Sequence, residues 1–88
     1  MDLNESRKNL DYIDDEILKL FIKRLNVVKG IAEYKKENNL PILQQDRENE
    51  VLQRIENKAG EELAPYAKEL FSEIMKISRD LQKDTLNK

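Results

Sequence analysis

Apolar residues return along this chain at intervals of three and four, in three stretches divided by two short polar interruptions. At about 100° per residue, Leu10, Ile13, Ile17, Leu20, Phe21, Val28 and Ile31 fall on one face of a first helix, and Leu18, Ile22 and Leu25 form a second stripe on it. Val51, Leu52, Ile55 and Ala59 make the apolar arc of a second helix. Ala67, Leu70, Phe71, Ile74, Met75, Ile77 and Leu81 make that of a third. The interruptions fall at Asn38-Asn39-Leu40-Pro41 and around Gly60, where Asn, Pro and Gly supply helix stop signals. The pattern predicts an all-α chain, one domain over residues 1–88, with helices over about 4–37, 44–59 and 63–86. Pro65 is compatible with the third helix because it lies in the first turn, where its missing N–H has no partner to lose.

The first helix is the unusual one. At 1.5 Å per residue it is about 50 Å long, more than the diameter of a compact domain of 88 residues. With two apolar faces and no covering element of equal length, it predicts a partner chain. Size points the same way, since a chain this small buries a thin core unless it is stapled or doubled, and there is no cysteine to staple it.

Composition then narrows the chemistry. The absence of cysteine suits a reducing, cytoplasmic setting and removes thiolate nucleophiles and thiolate metal sites. Histidine is also absent, and with it the commonest general base and zinc ligand. A net charge of -2 from 16 basic and 18 acidic interspersed residues lacks the basic surplus of a nucleic-acid binder. No apolar run reaches the length of a signal peptide core or a membrane span. What remains is carboxylate, amine, guanidinium and amide chemistry, suited to binding small anions.

Several such groups interrupt the apolar stripes. Arg24 and Lys35 share the meridian of Ile13, Ile17 and Ile31. Glu48 lies within the second helix's arc, with Arg47 and Gln44 at or near its edge. Ser78 and Gln82, one turn apart, sit within the third stripe. Taken singly these residues fit a plain structural role: Arg24 pairing with Glu48, Lys35 snorkelling past the helix end, Ser78 and Gln82 satisfying themselves within a helix interface. Arg7 alone reads as a solvated surface residue. Taken together, the inward cations outnumber the inward carboxylate, which predicts a pocket for a small polyanion.

The ordered set Arg7 in Ser6-Arg7-Lys8, Arg24 in Ile22-Lys23-Arg24, Lys35 in Ala32-Glu33-Tyr34-Lys35, Asp46-Arg47-Glu48, and Ser78 with Gln82 in Ile77-Ser78-Arg79-Asp80-Leu81-Gln82 resembles the all-helical (AroQ) class of chorismate mutase over essentially the whole chain. One departure is Gln44, where that family often has Asp. The resemblance implies an isomerase that converts chorismate to prephenate on the way to Phe and Tyr, without cofactor or metal. It implies an intertwined homodimer in which each site receives Arg7 from the other subunit. It further implies that Arg7 and Arg24 clamp the substrate carboxylates with Arg47 and Ser78 in support. Lys35 and Gln82 then meet the ether oxygen, Glu48 accepts from the ring hydroxyl, and Gln44 stands nearby. Arg24, Lys35, Glu48 and Gln82 are the expected catalytic set. With no separate regulatory segment in the 88 residues, no intrinsic feedback control is expected. Two alternatives stay open here: isochorismate-pyruvate lyase, which uses the same fold and a similar cluster, and a non-catalytic helical dimerisation or regulatory module whose inward polar groups only fix helix register.

Overall fold

The structure, a computed structural model, describes residues 2–87. It contains three helices, α1 (Leu3–Glu37), α2 (Gln45–Ala59) and α3 (Ala64–Leu86), each within one residue of the predicted ends. Local chemistry sets those ends. The Asp2 carboxylate accepts from Asn4 N–H at 2.9 Å and starts α1. Asn38 N–H donates to the carbonyls of Tyr34 and Lys36 and closes it, with Lys35 and Lys36 in the last turn, where cations suit the helix dipole. Asn39 then takes φ 54, a left-handed conformation that Asn tolerates, and Leu40 N–H folds back onto Lys35 C=O at 2.8 Å. Gly60, at φ 83, ends α2, and Pro65 lies in the first turn of α3.

The start of α2 is the weak point. Gln44 occupies the N-cap position but makes no capping bond; its Nε2 donates instead to Pro41 C=O at 3.0 Å. A Gln44→Asp variant places a short acceptor over the orphan N–H groups and is expected to stabilise the fold by about 0.5–1 kcal/mol per chain. Thermal denaturation at fixed protein concentration checks this, and an unchanged midpoint counts against it.

α3 packs on both α1 and α2, whereas α1 and α2 do not pack directly on one another. A cleft is left between them, floored by α3. The apolar core is small: Val28, Ala32, Val51, Ala64 and Met75 are the buried hydrophobic residues among those described. Of the two apolar stripes expected to be covered on α1, only Val28 is buried within the chain. Phe21 and Leu25 are half-buried, and Leu10, Ile13, Ile17, Leu18, Leu20, Ile22 and Ile31 are exposed. The reason is geometric. α3 is 23 residues against 35 for α1, so the N-terminal part of α1 extends past the rest of the chain.

The resulting shape is a slab of 54 × 29 × 14 Å with a radius of gyration of 16.1 Å, against about 12 Å for a compact chain of this length. Its accessible surface of 7249 Å² exceeds by roughly 1,800 Å² what a compact monomer of this mass exposes. A nearly all-apolar hollow of about 570 Å³ lies between Ile17, Leu18, Leu20 and Phe21 of α1 and Leu70, Phe71, Ile74 and Ile77 of α3. Among the described residues no helix is long and apolar enough to cross a membrane.

Candidate functional site

The cleft between α1 and α2 holds a cavity of about 330 Å³, near the low end of the ~300–1,000 Å³ typical of small-molecule pockets. Val28 of α1, Val51 of α2 and Met75 of α3 give it apolar walls. Seven of the eight residues singled out in the sequence line it: Arg24, Lys35, Gln44, Arg47, Glu48, Ser78 and Gln82.

The helical repeat explains the pairing across the cleft. Arg24 and Lys35 are eleven residues apart, three turns, so they point the same way about 16 Å apart along the axis. Each meets a polar residue of α3. Arg24 Nη1 donates to Ser78 Oγ at 2.8 Å, and that hydroxyl donates to Ile74 C=O at 2.8 Å. Ser78 is thereby the post that aims the guanidinium. Lys35 Nζ donates to Gln82 Oε1 at 2.9 Å and to Ile42 C=O at 2.6 Å. Because the lysine claims the amide oxygen, the Nε2 donor of Gln82 is left without a hydrogen-bond partner among the described residues. Ser78 and Gln82 are 5% and 6% exposed, and no buried polar side-chain atom among the described residues lacks a partner.

The electrostatics are lopsided. Among the described residues neither Arg24 nor Lys35 has a carboxylate within salt-bridge distance. Both hold their charge against neutral oxygens alone. Burial pushes the pKa of Arg24 down, and the nearby Arg47 and Arg54 push the same way. Burial also lowers that of Lys35, with Glu48 opposing from a distance. Pairing of Arg24 with Glu48, an alternative that the sequence permitted, does not occur. Glu48 instead accepts from Arg79 Nη1 through both carboxylate oxygens, the Oε2 contact being 2.6 Å.

Two residues depart from the inward set. Arg47 is exposed and paired with Glu50 at 2.6 Å, so it reaches only the rim of the cavity. It precedes Glu48 by one residue and therefore points about 100° away around α2. Arg7 is exposed and absent from the cavity lining. It stands seventeen residues before Arg24, about 25 Å along α1, too far for any side chain to span. Arg79 is the residue that sequence reasoning missed. The available signal was the lone inward acid, Glu48, facing the Ser78–Gln82 turn in which Arg79 sits. Arg24 lines both the polar cavity and the apolar hollow, so it borders the site and the uncovered face alike. No three acidic side chains converge as a metal site among the described residues.

A family model described as chorismate mutase type II matches residues 6–83. The chain is 42% identical over 53 residues to a chorismate mutase from Methanocaldococcus jannaschii, covering 60% of this chain and 54% of that protein. It is 37% identical over 89 residues to a bifunctional chorismate mutase/prephenate dehydratase from Buchnera aphidicola, covering 99% of this chain and 23% of that protein. With a protein of the same name from Aquifex aeolicus it shares 44% over 54 residues, 61% of this chain and 15% of the other. The chain thus spans less than a quarter of these bifunctional relatives and about half of the shorter one. Among solved structures, a conserved hypothetical protein from Pyrococcus furiosus superposes with a TM-score of 0.77 at 40% identity, covering 91% of this chain and 93% of that one.

Proposed function

Because this chain belongs to the chorismate mutase type II family, we propose that it rearranges chorismate to prephenate, a step toward phenylalanine and tyrosine, as a cytoplasmic homodimer without metal or cofactor. The observation that carries this reading is the pair of cations, Arg24 and Lys35, held in one cavity with no anion of their own. A dicarboxylate substrate supplies the missing charge, and Arg pairs bidentately with carboxylates.

The reaction is a pericyclic shift in which one C–O bond breaks as a C–C bond forms. It needs no nucleophile and no proton transfer, consistent with a chain that has neither histidine nor cysteine. Arg24 and the partner subunit's Arg7 clamp the two carboxylates, with Arg47 swinging in from the rim. That holds the flexible ether in its reactive chair-like form. Lys35 and the free Nε2 of Gln82 face the ether oxygen, where negative charge gathers as the bond stretches. Glu48 accepts from the ring hydroxyl, and Gln44 lies at the same end of the cavity.

The dimer rests on three features: surface in excess of a compact monomer, the uncovered apolar face shared by α1 and α3, and the remoteness of Arg7 from its own cavity. An interface of standard size buries about 800 Å² per partner, well within the excess. Supplying chorismate and isochorismate separately to the purified protein tests the reaction. Prephenate from the first, identified by acid conversion to phenylpyruvate, is the expected outcome. Salicylate and pyruvate from the second alone would move the assignment to the lyase, and turnover of neither would leave a helical dimerisation module.

The lowered pKa of Lys35 gives a pH test. Lys35 must be protonated to meet the ether oxygen, and burial works against that charge with Glu48 in opposition. In the free protein the proton is therefore lost below the ordinary lysine value, and kcat/KM falls as pH rises through that point. A bound dianion favours the charged form, so kcat persists to higher pH. Alkaline limbs that coincide in the two profiles would contradict this assignment of Lys35.

A further inference from the structure

Arg79 belongs to no set of residues considered so far, yet it lines the cavity and makes the closest ion pair in the described chain, with Glu48. The pair is largely sheltered, the side chains being 28% and 18% exposed. It joins α3 to α2, whereas the other ion pairs among the described residues are more open to solvent. Both oxygens of Glu48 lie against Nη1 of Arg79, so the rotamer of the carboxylate is fixed from the α3 side. Glu48 has no bond from Arg24, Lys35 or Arg47 to do the same work.

Resting on the proposed mutase reaction, the geometry points to Arg79 as the positioning residue that aims Glu48 at the substrate's ring hydroxyl. Each carboxylate oxygen has more than one lone pair, so Glu48 can keep its bonds to Arg79 and still accept from a hydroxyl on the cavity side. Arg24 and Lys35 serve the carboxylates and the ether oxygen, and Glu48 serves the hydroxyl. Arg79 acts through Glu48, and discrimination for a hydroxyl-bearing ring follows from the pair.

Steady-state kinetics of Arg79→Gln, Arg79→Lys, Glu48→Gln and the Arg79→Gln/Glu48→Gln double variant test this. Arg79→Gln is expected to lower kcat/KM for chorismate by about 10- to 100-fold, the range seen when an orienting contact is lost, and Arg79→Lys to restore part of it. The double variant should be no worse than Glu48→Gln alone. On the analogue whose ring hydroxyl is replaced by hydrogen, Arg79→Gln and the unaltered protein should turn over alike. Losses that multiply in the double variant would overturn the proposal and make Arg79 a direct clamp on the substrate. An equal loss on the analogue would overturn it in favour of a plain helix–helix tie. An unaltered protein that leaves chorismate untouched would instead refute the mutase reading itself.

Discussion

Replacing Lys35 with alanine is expected to lower kcat by at least about 100-fold, because a preorganised donor to a developing oxyanion is worth about 10²–10³ in rate and this one carries a full charge. The fold should survive. The ammonium donates to Ile42 C=O and to Gln82 Oε1, so the variant loses one hydrogen bond to the α1–α2 linker and one to α3. Against that, burial lowers the pKa of Lys35, which means its charge costs stability at neutral pH. The sign follows from linkage. A lysine whose folded pKa lies below its unfolded value penalises the fold at every pH below the folded value, and the penalty is relieved as pH rises through it. Alanine removes that penalty outright. Kinetics and thermal denaturation of the same preparation check both halves. Near-normal turnover in a folded protein would remove Lys35 from the chemistry.

The second large effect is expected at a residue with no side-chain hydrogen bond or ion pair among the described residues. Arg7→Ala should lower kcat/KM by at least about 100-fold, the consequence of leaving one carboxylate of a bound dianion without its charged partner. Monomer packing gives no reason for such a loss, since Arg7 is exposed and about 25 Å along α1 from Arg24. The uncovered face gives one. Arg24 lines the polar cavity on one side and the apolar hollow of Ile17, Phe21, Leu70 and Phe71 on the other. A second long helix seated on that hollow would run past the mouth of the cavity. Arg7→Ala should leave the dimer mass and the melting temperature unchanged. Activity retained at the level of the unaltered protein would show the site to be complete within one chain.

Much of this was legible in the sequence, for identifiable reasons. A 3.6-residue apolar period fixes which way each helical position points, so Arg24, Lys35, Ser78 and Gln82 could be placed on inward faces before any coordinates, and the three helices followed to within a residue. Asn38, Gly60 and Pro65 act locally and mark helix ends by their own stereochemistry. What the period cannot give is the partner of a side chain on another helix. Glu48 had two cations within plausible reach, and the choice of Arg79 over Arg24 depends on how α2 sits on α3. The outward turn of Arg47 toward Glu50 has the same origin. Arg7 lies further still from what one chain can reveal. The role proposed for it comes only from the resemblance to a family whose model matches residues 6–83. Exposure of the α1 stripes fits the same picture, because the pattern recorded faces that need covering without recording what covers them.

The most direct test of a site completed by two chains is complementation in mixed dimers. Arg7→Ala and Arg24→Ala proteins, each inactive alone, are unfolded, combined in equal amounts and refolded, and chorismate consumption is followed. In a mixed dimer one cavity holds an intact Arg24 and receives the partner subunit's Arg7, while the other lacks both. Random pairing makes half the dimers mixed with one working site each, so activity should recover to about a quarter of that of the unaltered protein. Heterodimers verified by mass that remain as inactive as their parents would contradict the shared site.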